Sequence, residues 1–315
     1  MKKVLFDTDI GIDDAMALLF LHFASEVDLL AIVTGFGNAS IENTTRNALH
    51  MKELFGISAP VYRGADGPIS EGLAKEFPDF VHGQNGLGDI EIAEPDGDPE
   101  KIPGAQAIVD LVSQYPQQIS IVAVGRMTNL ANALELCPEL PRLVGEVVIM
   151  GGAFGFNGHS GNVTAVAEAN ISGDPKAADE VFASGMPITV VGLDVTEETI
   201  VTAGFFDDLR DGAGSAGRFI HKISRCYLDF HERINGAYEC PIHDSSAVAY
   251  LLQPEIFTTQ EGWVRVAVDG SNKGQTIFSA ADSEIDGSPN CRICTSVDAD
   301  AVLSLYASTL RSSCN

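Results

Sequence analysis

The sequence predicts an α/β fold: a mainly parallel, Rossmann-like sheet covered by helices on both faces, in a single domain spanning residues 1–315. Short β-branched runs alternate with longer segments whose apolar residues recur at helical spacing, which is the pattern of strand–helix–strand units. No internal repeat or low-complexity tract interrupts this alternation. A hydrophobic fraction of 45% in 315 residues is sufficient for one large core.

The predicted elements follow from these runs. The predicted strands cover residues 4–6, 29–34, 119–124, 147–150 and 188–191, and the predicted helices cover residues 14–24, 44–54, 105–115 and 175–183. Two Gly- and Asp-rich stretches, 64–104 and 270–290, are interpreted as long excursions from the same domain. Ligands of such sheets bind beyond the carboxyl ends of the strands, so the polar residues that follow each strand are the candidates for function.

Charge and composition narrow the class of partner. A formal net charge of −25 argues against binding nucleic acid, because phosphate backbones are held by clustered Lys and Arg. The apolar run after Lys3 is too short for a signal peptide, and no run is long enough to span a bilayer, so a cytoplasmic protein is expected. Six cysteines without a secretion signal indicate thiols, and the pair Cys291 and Cys294 is interpreted as buried and structural.

Four carboxylates occur within the eight residues from Asp7 to Asp14, directly after the first strand. Helix capping explains Asp13 as N-cap and Asp14 in the first turn, but it gives no reason for Asp7 and Asp9. We therefore favour a metal site, since a cation offsets the repulsion among the four charges. An EF-hand is excluded because the acids follow a strand. A phosphohydrolase of the haloacid dehalogenase type, which also has a strand ending in D-x-D and uses Mg²⁺, is the second interpretation.

With its continuation, DTDIGIDDAMAL from Asp7 to Leu18 resembles the opening signature of the inosine–uridine nucleoside hydrolase family, usually DTDPGxDDAxAL. Further blocks follow in the order typical of this family, and they extend over nearly the whole chain. These are GN and TxxNA (residues 37–38 and 44–48), HGQNGLG (82–88), GRMTNLA (125–131), MGGA (150–153), GNVTAVAEANISGDPKAA (161–178) and His243-Asp244. The resemblance implies the nucleoside hydrolase fold and hydrolysis of ribonucleosides of the inosine, uridine or cytidine type to ribose and free base.

The resemblance also implies a role for each matched residue. One Ca²⁺ ion would be bound by Asp9, Asp14, Asp244 and the backbone carbonyl of Thr128, with Asp9 as the general base that activates a water molecule on the ion. His82 and His243 would lie beside the leaving base and supply a proton or hydrogen bond to it. The ribose would be held by Asp13, Asn38, Met150, Asn162, Glu168 and Asn170.

The chain departs from the family pattern at several positions. Ile10 replaces the usual Pro, Asn85 stands where Asp is frequent, Arg126-Met127 replaces Pro-Leu, and Ala169 replaces Phe. A segment before His243 carries further candidates for contact with the base, and its helical spacing fits either a mobile lid or a surface helix. These candidates are Tyr227, His231, Arg233 and Tyr238. The sequence does not indicate which base is preferred. Trp263, the one tryptophan, lies outside every matched block.

Two other interpretations stand beside a Ca²⁺-dependent nucleosidase. One is the Mg²⁺ phosphohydrolase, which requires cations for a phosphate that the matched blocks do not supply apart from Arg126. The other is a catalytically silent nucleoside- or sugar-binding module, which would not need to keep Asp9. The expected partner is a small ribonucleoside, with no nucleic acid and no membrane. By analogy with the family we also expect a homo-oligomer, a dimer or a tetramer.

Overall fold

The computed structural model describes residues 1–70, 72–281, 283 and 289–312. Within these ranges the strands are β1 (Lys2–Thr8), β2 (Val27–Thr34), β3 (Val61–Arg63), β4 (Ile119–Ala123), β5 (Glu146–Met150), β6 (Ile188–Val191), β7 (Ile200–Thr202), β8 (Glu239–Pro241), β9 (Phe257–Val266), β10 (Thr276–Ala280) and β11 (Cys291–Val297). The helices are α1 (Ile12–Phe23), α2 (Ile41–Phe55), α3 (Asp79–His82), α4 (Gly104–Gln114), α5 (Thr128–Leu136), α6 (Leu140–Leu143), α7 (Ala169–Gly173), α8 (Pro175–Phe182), α9 (Leu193–Thr196), α10 (Ala203–Gly212), α11 (Gly214–Asn235), α12 (His243–Leu252) and α13 (Ala299–Ser312).

Nine of these strands form one sheet in the order β10-β9-β11-β6-β5-β4-β1-β2-β3. Every neighbouring pair from β11 to β3 is parallel. Strand β9 runs antiparallel to β10 and β11, and β7 pairs with β8 as a separate antiparallel ribbon. The predicted mainly parallel sheet is therefore confirmed, with an antiparallel edge added to it.

Apolar side chains cover both faces of this sheet. In β1, Val4 and Phe6 belong to one apolar layer, which also takes in residues of α1, α2, α11, α12 and α13. Leu5 between them points into the opposite layer, with residues of α4, α5 and α8. Because side chains alternate along a strand and both faces are buried, β1 reads as a continuous apolar run. The predicted helices on both faces are thereby confirmed.

The structure contains all five predicted strands and all four predicted helices, with ends shifted by a few residues. Strands β9 to β11 were not predicted. In β9 the exposed positions carry Thr258, Glu261 and Arg265, so the apolar signal is weak. Within the excursion at residues 270–290, Thr276–Ala280 forms β10, whereas residues 282 and 284–288 lie outside the described part of the chain.

The sequence pair Cys291 and Cys294 lies in β11, and both side chains are buried. Cys291 belongs to the apolar layer on one face of the sheet and Cys294 to the layer on the other face. Burial raises the pKa of both thiols. The predicted buried, structural role is therefore confirmed, since two thiols on opposite faces cannot share a metal ion or form a redox pair.

The strand order places the candidate residues at one edge of the sheet. Strand β1 lies between β4 and β2, and β5 lies beside β4. In parallel strands the carboxyl ends meet at the same edge, so the segments after β1, β2, β4 and β5 converge there. No helix in the described ranges is long and apolar enough to cross a membrane.

Candidate active site

A cavity of about 550 Å³ opens at the carboxyl edge of the sheet. Nine of the residues predicted for the site line it: Asp13, Asn38, His82, Met150, Asn162, Glu168, Asn170, His243 and Asp244. They come from segments far apart in the chain, so the fold, not proximity in sequence, assembles the cavity. Asp9 and Asp14 are buried at the end of β1 and in the first turn of α1.

The carboxylates of Asp9 and Asp14 are held in place by hydrogen bonds from nearby groups. Asp14 accepts from the Thr8 hydroxyl (2.6 Å), the Asp9 N–H (3.1 Å), the Gly11 N–H (2.9 Å) and the Asn38 side-chain amide (2.7 Å). Asp9 Oδ2 accepts from the Asn38 N–H at 2.8 Å. The other oxygen, Asp9 Oδ1, is buried and has no protein partner. One oxygen of Asp9 is thus bound to the scaffold, and the other is free for a ligand.

Two glycines make room for Asp9. A Cβ atom on Gly37 would lie 1.6 Å from Asp9 Oδ2, and one on Gly125 would lie 2.7 Å from Asp9 Oδ1. Both distances are below any real contact, so a side chain at either position would displace the carboxylate. These positions belong to the matched GN and GRMTNLA blocks, whose glycines are therefore explained by the packing around Asp9.

Three carboxylates approach one another at the floor of the cavity. Oxygens of Asp13, Asp14 and Asp244 all lie within 4.8 Å of each other. Burial, followed by repulsion from Asp14, raises the pKa of Asp13 to about 8. Burial, followed by repulsion from Asp13 and Asp14, also raises the pKa of Asp244. Such crowding of buried acids is relieved by a cation, and hard carboxylate oxygens suit Ca²⁺.

The capping interpretation of the aspartate cluster is wrong in one detail. The N-cap of α1 is Gly11, and Asp14 reaches back to its N–H, whereas Asp13 lies inside the first turn. Asp13 Oδ1 is buried without a hydrogen-bond partner and faces the cavity. Asp14 therefore caps the helix and joins the acidic group, while Asp13 is left for a ligand.

Thr128 is not placed with the other predicted metal ligands. It begins α5, and its hydroxyl donates to Asp174 at 2.7 Å. A carbonyl in the first turn of an α-helix accepts the N–H four residues later, so the Thr128 carbonyl is committed to the helix. Val124, which follows β4, lines the cavity instead, and its carbonyl accepts from the Asn170 side chain at 2.7 Å. No sequence signal points to Val124, because a backbone carbonyl has no side-chain signature.

Three buried histidines face the same cavity. His82 Nδ1 accepts from the Ile12 N–H at 3.2 Å, so in the neutral ring the proton is on Nε2, which can donate. His243 Nδ1 pairs with the Thr196 hydroxyl at 2.7 Å. His231 has no partner on either ring nitrogen. Burial lowers the pKa of His82 and His231 to about 4 and that of His243 to about 3, so all three rings are neutral near pH 7.

Glu168 and Asn170 organise the opposite wall. Glu168 accepts from the backbone N–H groups of Gly152, Ile171 and Asn170, at 3.0, 3.1 and 2.9 Å. The Asn170 amide donates to the carbonyls of Val124 and Met150, at 2.7 and 3.2 Å. Both of its N–H groups are thereby used, which leaves the Asn170 carbonyl oxygen to accept from a hydroxyl. Asn162 lies on the exposed rim, where its Oδ1 accepts from the Ala169 N–H.

Two departures from the family pattern have local compensation. Asn85 accepts from the N–H groups of Leu87 and Asp89 and donates to the Ile90 carbonyl, so it fixes the loop that follows His82. Ala169 supplies no aromatic wall. Aromatic rings on the cavity come instead from α3 and α11, namely Phe80, Tyr227 and Phe230.

Of the four candidate residues in the segment before His243, two line the cavity and two do not. Tyr227 and His231 line the cavity, and the Tyr227 ring stacks on His82 with centroids 5.9 Å apart. Arg233 donates to the Asp229 and Phe80 carbonyls outside the cavity, and Tyr238 is only half-buried. Along α11 the lining residues Tyr227, Phe230, His231 and Ile234 follow helical spacing, which is the signal that could have identified them from the sequence.

Comparison with known proteins bears on the same residues. A family model described as inosine-uridine preferring nucleoside hydrolase matches residues 4–304. The chain is 38% identical to a protein named probable uridine nucleosidase 2 of Arabidopsis thaliana, over 99% of the chain and 98% of that relative. A solved plant nucleoside hydrolase matches with a TM-score of 0.94 and 36% identity, covering 98% of each chain. A purine-preferring ribonucleoside hydrolase from Gardnerella vaginalis matches with a TM-score of 0.94 and 33% identity, covering 100% of each chain.

These matches extend over nearly the full length of the chain, and the acidic floor, the histidines and the amide wall all lie within the matched residues. The comparisons give no support to a phosphohydrolase. The chain therefore belongs to the inosine-uridine preferring nucleoside hydrolase family and is a ribonucleoside hydrolase.

Proposed function

We propose that the chain cleaves the N-glycosidic bond of ribonucleosides of the inosine, uridine or cytidine type, with Asp9 as general base at a Ca²⁺ site. The observation that carries this proposal is the bare Oδ1 of Asp9, buried beside the acidic floor of a cavity that three neutral histidines also line. A base for water and hydrogen-bond donors for the leaving group are what hydrolysis of a bond between a sugar and a heterocycle requires.

The residues present fit a Ca²⁺ ion. Asp14 and Asp244 would hold it from the acidic floor, with Asp9 beside them, and a backbone carbonyl would come from Val124, which lines the cavity, or from Thr128, as the resemblance implies. When bound, the ion would lower the pKa of a water molecule and orient ribose hydroxyls. Asp9 Oδ1 would accept the proton released as water adds to the sugar, because Oδ2 is already occupied by the Asn38 N–H.

At the ribose end, hydroxyl groups would meet acceptors that the protein leaves unused. Asp13 Oδ1 has no partner, and the Asn170 carbonyl oxygen is free because its amide hydrogens are used elsewhere. Glu168 Oε1 accepts the Asn170 N–H and keeps one lone pair for a hydroxyl, whereas Oε2 already accepts two N–H groups. Carboxylates around the sugar also stabilise the positive charge that develops as the base departs.

At the base end, His82 would donate its Nε2–H to the departing heterocycle, with His243 near it on the cavity wall. Tyr227, Phe230 and Phe80 supply aromatic faces against which a planar base can stack. These rings are compatible with a purine and with a pyrimidine, and the relatives named above include proteins described by either preference.

The metal requirement is tested by stripping divalent ions. Base release from inosine, uridine and cytidine is measured on purified protein, after chelation, and after Ca²⁺ is added back. We expect the rate to fall at least ~10-fold on stripping and to return with Ca²⁺, since the ion stabilises charge in the transition state. Undiminished turnover in protein that elemental analysis shows to be metal-free would contradict the proposal.

The same preparation separates the alternative interpretations. Hydrolysis of p-nitrophenyl phosphate that depends on Mg²⁺ would indicate a phosphohydrolase, and we expect none. Tight binding of ribonucleosides to the Ca²⁺-loaded protein without any release of base would instead indicate a silent binding module. The preferred base is then read from the ratio of kcat/KM values for the three substrates.

The role of the histidines is tested with His82→Ala and His243→Ala. Each substitution is expected to lower kcat for uridine by about 10²-fold, because assistance to the leaving base is lost. The control is 4-nitrophenyl riboside, whose leaving group is stable without a proton, and its kcat should stay within about threefold of wild type. Equal losses on both substrates would show that the histidines act on the sugar or on folding.

A further inference from the structure

Arg126 is a buried cation directly behind the proposed base. It follows β4 at a position where the family usually carries proline, and its side chain is 14% exposed. Its Nη1 lies 3.3 Å from Asp9 Oδ2. The guanidinium also lies over the Phe36 ring, 5.0 Å from the centroid. Like Asp9, it is not among the residues that line the cavity, and its ion pair is with Asp9.

The fold leaves space for this guanidinium. A Cβ atom on Gly37 would lie 2.0 Å from Arg126 Nη1, and one on Gly173 would lie 1.9 Å from its Nε. Any other residue at either position would therefore displace the arginine. Gly37 precedes Asn38, whose N–H binds the same oxygen of Asp9, so the loop that admits the arginine also supplies the second donor.

The charge of Arg126 interacts with several carboxylates around it. The carboxylates of Asp9, Glu168, Asp14 and Asp174 all act on its charge. Removing one partner of a buried ion pair leaves an uncompensated charge, which is costly in a poorly solvated site. An uncharged side chain at position 126 would leave the Asn38 N–H to hold Asp9 Oδ2 while Asp14 still repels the carboxylate.

We propose that Arg126 is a positioning residue for the general base: with the Asn38 N–H it holds Asp9 Oδ2, so that Oδ1 is the oxygen presented to the reaction. The proposal rests on Asp9 as the base in the function proposed above. It assigns to Arg126 a role in orientation and charge balance, with no contact to substrate.

The first test separates orientation from binding. Arg126→Met is expected to lower kcat about 10-fold, with KM within about threefold of wild type, because substrate contacts are unchanged. Arg126→Lys keeps a charge and a donor and should recover most of the lost kcat. Arg142→Met removes an exposed arginine that pairs with Glu139 and serves as the matched control, with kcat and Tm unchanged. A rise in KM with unchanged kcat would overturn the proposal.

The second test is a double-mutant cycle with Asp9→Asn. In the wild-type background Arg126→Met should lower Tm by at least about 5 °C, as expected for breaking a buried pair. In the Asp9→Asn background the same change should lower kcat and Tm much less than in the wild type, because the charge that Arg126 pairs with is gone and its interactions with more distant carboxylates are weaker. Equal losses in both backgrounds would show that Arg126 acts independently of Asp9 and would overturn the inference.

The two proposals fail in different ways. If Asp9→Asn leaves kcat unchanged, the assignment of the base is wrong, whatever Arg126 does. If Asp9→Asn abolishes turnover while Arg126→Met leaves kcat and Tm unchanged, the assignment of Asp9 as the base is supported and the positioning role of Arg126 is wrong.

Discussion

Asp9→Asn is expected to lower kcat for uridine about 10³-fold while leaving the Kd for uridine within about threefold. The amide keeps the size of the side chain and can still accept the Asn38 N–H through one oxygen. It cannot take up a proton, and removing a general base costs about 10²–10⁴ in rate. Turnover is followed by base release, and binding is measured calorimetrically on the variant at saturating Ca²⁺.

Asp7→Asn is the matched control for this variant. Asp7 lies two residues earlier, in β1, and is buried like Asp9, but its carboxylate pairs with Asn129, whereas Asn38 and Arg126 pair with Asp9. Burial raises the pKa of Asp7 to about 7, and Asp7 Oδ1 accepts from the Asn129 amide at 2.8 Å, a bond that asparagine also forms. We expect kcat of this variant within about threefold of wild type. Comparable losses in the two variants would trace the effect to packing in β1.

The preference for ribose over 2′-deoxyribose is expected to be about as large as the loss of kcat in Asp9→Asn. For 2′-deoxyuridine we expect kcat/KM at least ~10³-fold lower than for uridine. A hydroxyl bound by Asp13 satisfies an oxygen that is otherwise buried without a partner, and a site built for a hydroxyl rejects the analogue that lacks it. Intrinsic reactivity works in the opposite direction, because the electron-withdrawing 2′ hydroxyl destabilises positive charge on the sugar.

Asp13→Ala tests the source of this preference. Without the carboxylate, hydrolysis of uridine should slow strongly while the already low rate on 2′-deoxyuridine changes little, so that the ratio between the substrates contracts. The measurement is kcat/KM for both substrates on both proteins. Similar rates on the two substrates in the wild-type protein would exclude a role for the 2′ hydroxyl in binding.

The sequence by itself determined the parallel α/β sheet, the parts of the chain that contribute to the cavity, and the position of Asp9 and Asp14 directly after the first strand. These features follow from local order. The apolar run of β1 ends in Thr8 and Asp9, and α1 begins at Ile12, so the acids stand at the carboxyl edge of the sheet in any fold built from these two elements. Matched blocks extended the prediction to nine of the residues that line the cavity.

Only the tertiary structure decided which carboxylates meet. Asp13 joins Asp14 and Asp244 because α12 packs against α1, a contact between segments far apart in the chain. The packing of α11 likewise turns Tyr227 and His231 into the cavity and leaves Arg233 outside it. Helical spacing identifies one side of α11 but cannot say which element that side will face.

Two further details, one of the backbone and one of a side-chain pair, could not be predicted from the sequence. Thr128 begins α5, whereas Val124 precedes that helix and lines the cavity, a distinction that depends on the residue at which the helix begins. Arg126 and Asp9 are 117 residues apart in the chain and form an ion pair through space left by two glycines. Local propensity does not encode such contacts, because the free energy that orients a buried charge comes from groups that only the folded chain brings together.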